Sequence, residues 1–184
     1  QAEFNKYKTI DEFMLVNSAM TLNEFKVIYF WEWFHRFFAR LIGLLYLAPL
    51  IYLIIKNQIN KKYIIRVVLI GFFLALQAII GWYMVKSGLT GRVDVSQYRL
   101  AMHLTMAFLI LGITFQTLLE SNIKNIENKY FSFDTKYDYL FLLLFIFTFL
   151  QIAYGAFVSG THSGLLFNTW PMYDGNILPF VENN

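Results

Sequence analysis

Four long runs of apolar residues alternate along the chain with shorter polar segments. A helix needs about 20 residues to cross the hydrocarbon core of a bilayer, and each run has that length. The apolar residues fall in continuous blocks rather than in amphipathic stripes, so the pattern predicts spanning helices. The predicted spans are 37–55, 63–85, 97–119 and 139–158. The expected fold class is an all-α integral membrane protein, a transmembrane helix bundle with four spans in this chain.

The polar segments divide the chain into four parts. Residues 1–36 are expected to form an extramembrane loop, whose last residues are rich in Tyr, Trp and Phe as is typical of the membrane–water interface. Residues 37–119 contain the first three spans. A polar loop over 120–138 leads to the fourth span, and residues 139–184 contain that span followed by an outer loop with Gly, Asn and Pro.

Positive charge predicts the orientation of the spans. The hairpin between the first two spans and the residues beside it carry cations and no acidic residue: Lys56, Lys61, Lys62 and Arg66. Because such cations are retained on the cytoplasmic side, we expect this hairpin to face the cytoplasm or the mitochondrial matrix. Alternation of the spans then places 1–36 outside and 120–138 inside.

Composition excludes several classes of protein. The chain is 58% hydrophobic and 15% charged, which is too apolar for a disordered protein. It contains no cysteine, so disulfides, thiolate metal sites and iron–sulfur clusters are excluded within it. The net charge of +3 comes from dispersed cations, so nucleic acid is not an expected partner. The chain starts without Met in polar sequence and is expected to be part of a longer protein.

Ionisable residues cluster at the entrance to the first span, where Glu32, His35, Arg36 and Arg40 follow one another closely. Charged groups are costly at a membrane and are therefore functional candidates. On a helix, Glu32 would share a face with His35 and Arg36, which follow it by three and four positions.

A second histidine, His103, begins the third span and is expected at the same membrane face as His35. Two imidazoles from different helices suit a bis-histidine haem, whose iron takes axial nitrogens from both faces of the porphyrin. Arg99, Arg36 and Arg40 could hold haem propionates at the rim of the pocket. Each residue alone is more simply an interfacial side chain that reaches for water. Their coincidence on two helices favours the haem site.

Glu32 and His162 each have two interpretations. Glu32 is either an exposed carboxylate paired with Arg36, or a catalytic acid, base or charge stabiliser that acts on a porphyrin substituent. His162 follows the fourth span. It is either a solvated loop histidine, which the sequence favours, or a third ligand.

A short spacing recurs near the ends of two spans: Gln77 and Gly81 in the second, and Gln151 and Gly155 in the fourth. It indicates either a duplicated helical unit or small residues that let helices approach closely.

These residues resemble the haem A synthase family, in the form found in many proteobacteria and in mitochondria. The resemblance is carried by FKVIYFWEWFHRFFARLIG (25–43), QAIIGWYMVKSGL (77–89), VSQYRLAMH (95–103) and GAFVSGTHSGLLFNTWPMYDG (155–175). It implies an eight-span protein built from two similar four-helix halves, of which this chain covers spans two to five. The first three spans here would belong to the first half, and the fourth would open the second half.

The resemblance also implies roles for individual residues. The matched residues are the first-half iron ligands His35 and His103, the glutamate Glu32, and the arginines Arg36 and Arg40. Ala39 stands where the family often has glycine, and His162 has no counterpart, so no ligand role is transferred to it.

The implied activity is oxidation of the C8 methyl group of haem O to a formyl group, which gives the haem A of cytochrome oxidase. Haem O would be the substrate, and a haem b with ligands outside this chain would relay electrons. The implied partners are membrane lipid, an electron donor and haem O synthase, and the implied location is the bacterial or mitochondrial inner membrane. The fragment alone is expected to be inactive.

Two other classes of function compete with the enzyme. A bis-histidine b-type cytochrome would use His35 and His103 for electron transfer only and would place no demand on Glu32. A transporter would carry polar residues near the middle of its spans. The centres of these spans are almost wholly apolar, which argues against transport.

Overall fold

The computed structural model describes residues 1–88, 93–122, 135–166, 168, 169, 171–173 and 176. Across these residues the secondary structure is helical, apart from one isolated bridge between Tyr173 and Asn176. The helices are α1 (Ala2–Tyr7), α2 (Asp11–Leu15), α3 (Leu22–Ile55), α4 (Lys61–Gly88), α5 (Gln97–Asn122), α6 (Lys136–Gly160) and α7 (Ser163–Leu166). Helices α3 to α6 are long and apolar enough to cross a membrane. The predicted all-α fold with four spans is confirmed.

Helix α3 begins well before the predicted start of the first span. Thr21 and Glu24 form a capping box, in which the Thr21 side chain accepts a hydrogen bond from the Glu24 N–H. In return, the Glu24 carboxylate accepts one from the Thr21 N–H at 2.8 Å. The exchange satisfies donors that a helix start leaves free, and it fixes the start at Leu22. The later part of the predicted extramembrane loop, 1–36, is therefore helical, while the limits of the four predicted parts stay predictions.

The residues before α3 fold back on its first turn through aromatic rings. Phe4 and Tyr7 of α1 each lie 5.1 Å, centroid to centroid, from Phe25 of α3. Phe13 of α2 packs edge-on against both Phe4 and Tyr7. Burial raises the pKa of the Tyr7 hydroxyl. The N-terminal segment is thus a small packed cap on the helix.

The lengths of the helices place the two predicted iron ligands at one height. The 34 residues of α3 extend about 51 Å at about 1.5 Å per residue, whereas the bilayer core is about 30 Å thick. Counted from the end at Ile55, His35 lies about 30 Å along α3. His103 lies about 28 Å from the corresponding end of α5. Both histidines therefore lie at a similar height, about one core thickness from the end of the bundle next to the basic hairpin.

Helix α5 lies between α4 and α6 and packs against both, whereas α3 touches α4 more sparingly. A Cβ atom added to Gly160 of α6 would lie 2.8 Å from the Cα of Gln97 on α5. The ring of Tyr98 on α5 also packs edge-on against Phe157 of α6 at 5.6 Å. Such a close backbone approach is typical of small residues at contacts between membrane helices.

The contact of α3 with α4 depends on Tyr46. Its hydroxyl donates a hydrogen bond to the carbonyl of Val67. Its ring lies against Gly71, where an added Cβ would be 3.0 Å from the ring edge. A side chain at position 71 would require the Tyr46 ring to shift by a few tenths of an ångström.

An ion pair joins α4 and α5 at the end of the bundle next to the basic hairpin. Arg66 donates to a carboxylate oxygen of Glu120 at 2.6 Å, and the hydroxyl of Tyr63 donates to the Glu120 carbonyl at 2.9 Å. One of the four cations used to predict the orientation is therefore neutralised by an acid from another helix. The positive charge of the hairpin comes from its three lysines. Most of the predicted inner loop, 120–138, lies outside the described residues.

Candidate functional site

The four candidate residues of α3 are all exposed: Glu32, His35, Arg36 and Arg40. Glu32 and Arg36 form an ion pair across one helical turn, with about half of each side chain exposed. An exposed pair at this spacing contributes little to stability, about 0.3–0.5 kcal/mol. Arg40 makes no hydrogen bond or ion pair with the residues that the structure describes. The α3 side of the site is therefore open and cationic.

His103 is held by α4 rather than by its own helix. The side-chain amide of Gln77 donates to the main-chain carbonyl of His103 at 3.0 Å, and the same amide nitrogen lies 3.4 Å from the imidazole Nε2. The ring also packs on Gly81, where an added Cβ would lie 2.9 Å from its Cε1. Only glycine at position 81 leaves room for this imidazole.

Two polar atoms beside this contact are buried without a hydrogen-bond partner among the described residues. They are the Nδ1 of His103 and the Oε1 of Gln77. Buried polar atoms are nearly always paired in native proteins, and an orphan demands an explanation such as an absent ligand.

The two predicted iron ligands lie on helices that are separated in sequence by the whole of α4, His35 on α3 and His103 on α5. Helix α4 packs against both of these helices.

Arg99, one turn before His103 on α5, is engaged by the end of α4. Its guanidinium donates to the hydroxyl of Ser87 and lies over the ring of Tyr83, 4.8 Å from the ring centroid. Its second terminal nitrogen lies 3.5 Å from the Tyr83 hydroxyl. A guanidinium has five N–H donors, so these contacts orient Arg99 and leave donors for an anion.

His162 takes no part in this arrangement of α3, α4 and α5. It lies in the turn after α6 with a positive φ of 54° and pairs with Asp94 at 3.5 Å. Both side chains are more than half exposed. Across the described residues, no three His, Asp or Glu side chains gather into a cluster that could bind a metal ion. This environment is that of a solvated loop histidine.

Comparison with known proteins decides the family. The model of the cytochrome oxidase assembly protein family, COX15-CtaA, matches residues 1–183. The chain belongs to this family. No solved structure matches it.

Curated relatives of this chain carry the name heme A synthase. The chain is 40% identical to the heme A synthase of Parvibaculum lavamentivorans over 97% of its own length and 51% of that protein. It is 41% identical to that of Wolbachia pipientis wMel, over 95% of this chain and 49% of the relative. It is 42% identical to that of Maricaulis maris, over 97% and 51%. The resemblance to haem A synthases is confirmed, and the chain spans about half the length of these relatives.

The predicted site residues fit a haem better than a bare metal ion. A porphyrin supplies most of the iron ligands itself, so two imidazoles would complete the set without a third protein ligand. His35 and His103 lie on helices that both pack against α4. Guanidiniums on both helices would be counter-ions for propionates.

Sequence reasoning missed the α4 side of the site, formed by Gln77, Gly81, Tyr83 and Ser87. The Gln-x3-Gly spacing was visible, but it indicated only a repeat or close helix packing. The spacing of Tyr83 and Ser87, one helical turn apart, could have indicated that they share one partner.

Proposed function

We propose that the full-length protein is a haem A synthase, and that this chain supplies the site for haem O. The observation that carries the proposal is the placement of His35 and His103 at a similar height on two helices that both pack against α4, in a chain whose relatives are named heme A synthase. The reaction is the oxidation of the C8 methyl group of haem O to a formyl group, in which a C=O bond replaces two C–H bonds. The enzyme is thus a membrane oxidoreductase that acts on a C–H group.

In this proposal His35 and His103 are the axial ligands of the substrate iron. Arg36, Arg40 and Arg99 hold the propionates, and Arg99 is already oriented by Ser87 and Tyr83. A guanidinium suits a carboxylate because it can donate two parallel hydrogen bonds. These contacts would fix the porphyrin so that one edge faces the catalytic group.

Glu32 is the proposed catalytic residue. It lies three residues before His35 on the same helical face, within reach of a porphyrin edge held by that histidine. Arg36 pairs with this carboxylate across one helical turn. A carboxylate in this place can accept protons released by the methyl group and stabilise positive charge on an electron-poor porphyrin.

The rest of the proposal concerns the parts of the longer protein. A haem b with ligands outside this chain would relay electrons from an electron donor, and haem O synthase would deliver the substrate. The four spanning helices make the protein multi-pass, and the inner membrane of bacteria or mitochondria is the proposed location.

A bis-histidine cytochrome that only transfers electrons is the second candidate. It is favoured by the exposure of Glu32 and its pairing with Arg36, since an ordinary surface carboxylate would make the same contact. The two functions share the histidine pair and differ in the product that the membrane accumulates.

The test uses the full-length protein with His35→Ala, His103→Ala or, as the matched control, His162→Ala. Haems are extracted from the membranes and separated by chromatography, and haem bound to the purified protein is measured by absorption. We expect either site variant to lose one bound haem and all haem A, while the control keeps both. Haem A at the unmutated level in both site variants would reject the proposal. If the site variants lose bound haem while even the unmutated protein forms no haem A, the cytochrome is favoured.

A further inference from the structure

We infer that Gln77 competes with the substrate iron for the imidazole of His103, and so sets how readily the haem leaves. Gln77 is a positioning residue in this inference, because it acts through His103. The inference rests on the proposed function. It starts from the contact between the Gln77 amide and the Nε2 of His103.

The orientation of the Gln77 amide is fixed by its stronger contact. Its nitrogen donates to the carbonyl of His103 at 3.0 Å. Exchanging the amide oxygen and nitrogen would set two acceptor oxygens against each other. The amide therefore presents an N–H, not an oxygen, to the imidazole Nε2. The neighbouring Nε2 must then be the bare nitrogen, with the ring proton on Nδ1.

The lone pair on Nε2 is also the one that an iron needs. Nε2 is the ring nitrogen farther from the backbone, so a bulky porphyrin can approach it more easily than Nδ1. The Gln77 amide and the iron cannot occupy this lone pair together. In this arrangement the Gln77 amide faces the lone pair through which His103 would bind iron.

The hydrogen bonding of the His103 imidazole in this arrangement is weak, which suits an iron ligand that must be released and rebound. The distance of 3.4 Å from the amide nitrogen to Nε2 is long for a hydrogen bond. The Nδ1 of His103 and the Oε1 of Gln77 are buried without partners among the described residues. The imidazole fits here because residue 81 is glycine, since an added Cβ would lie 2.9 Å from Cε1. The ring can therefore exchange this position for an iron at small cost.

Release matters because the haem is a substrate and leaves as product. The bond that breaks on release is the one between iron and Nε2, and its electron pair returns to the imidazole. Gln77 then donates a hydrogen bond to that pair, so the empty site is not left with a bare buried nitrogen. Without the amide, the empty site is less stable and the iron is held longer.

The test is the Gln77→Leu variant of the full-length protein, which keeps a side chain of similar size and removes the amide. Purified protein is loaded with haemin, and the haemin is transferred to an excess of a haem-free globin while absorption is followed. We expect release from the His103 site to slow by about 2- to 10-fold, the effect of one hydrogen bond. Gln151→Leu is the matched control, because Gln151 has the same Gln-x3-Gly spacing on α6 and is exposed. It should release haemin at the unmutated rate.

Two further outcomes keep the inference separate from the proposed function. His103→Ala identifies the phase of release that belongs to this site. If His103→Ala removes no phase, the proposed haem site is wrong. If it removes one and Gln77→Leu releases that haemin as fast as the unmutated protein or faster, the site stands and the inference about Gln77 is wrong. General damage to the fold would speed release, so slower release cannot come from it.

Discussion

The two candidate functions make different demands on Glu32: the proposed oxidising enzyme needs its carboxylate, and an electron-transferring cytochrome does not. Its carboxylate is about half exposed and paired with Arg36. The ion pair is compatible with both functions, because it holds the charge in place without showing what the charge acts on. Only removal of the charge, with the shape kept, separates a catalytic carboxylate from a surface one.

Glu32→Gln in the full-length protein should leave haem bound and reduce haem A formation by about 10²- to 10⁴-fold, the usual contribution of a positioned acid or base. We expect the reaction to stop at haem O or at a hydroxylated form of it. Chromatography of extracted haems measures both. Glu3→Gln is the matched control, since Glu3 forms a comparable exposed ion pair with Lys6 at 2.9 Å. Haem A at the unmutated rate in Glu32→Gln would make this carboxylate an ordinary interface residue.

The sequence could indicate His35 and His103 because both are ionisable groups at the ends of apolar runs, where a charge stands out. Gln77 and Gly81 do not stand out in that way. Their role depends on which face of α4 meets α5, and an almost wholly apolar helix carries no stripe that shows its buried face. Only the structure shows that both residues contact His103.

Among the elements, α3 shows what an apolar run can and cannot predict. The run located the span, but it could not show that the helix continues through the polar and aromatic residues before it. The signal for the true start was a Thr-x-x-Glu pattern at Thr21 and Glu24, which forms a capping box. The length of a membrane helix is set by its caps, and only its membrane-embedded part by hydrophobicity.

The contact between α5 and α6 gives a matched pair of glycine substitutions. Gly160→Ala places a Cβ 2.8 Å from the backbone of Gln97, whereas a Cβ on Gly155 meets nothing within 4 Å. We expect Gly160→Ala to destabilise the full-length protein by about 1–3 kcal/mol, as overpacking does. Gly155→Ala should be neutral or slightly stabilising, because alanine is the better helix former. Thermal unfolding in detergent compares them, and equal melting temperatures would contradict the close approach.

At the scale of the whole molecule, the orientation of the spans in the membrane remains a prediction. The ends of α3 and α4 meet at the basic hairpin, where Lys56, Lys61 and Lys62 carry the positive charge and Arg66 is paired with Glu120. Three lysines still favour the cytoplasm or the matrix for this end. The argument is weaker than the sequence alone indicated, because the structure removes one cation from it.

Cysteine labelling can determine the orientation, since the chain itself contains no cysteine. Asn60→Cys, in the hairpin, should react with a membrane-impermeant reagent only after the membrane is opened. Asn17→Cys, before α3, should react in intact cells or mitoplasts. The two variants serve as controls for each other. Labelling of Asn60→Cys from the outer side would reverse the predicted orientation.

The close packing of α6 on α5 is made by residues within the two helices. Gly160 and Gln97, with Tyr98 and Phe157 beside them, form the contact from residues within the helices. Two polypeptides, one ending after α5 and the other starting before α6, should therefore assemble in a membrane when produced in the same cell. The protein could then be reconstituted from separate pieces, and each piece could be labelled or exchanged independently of the other.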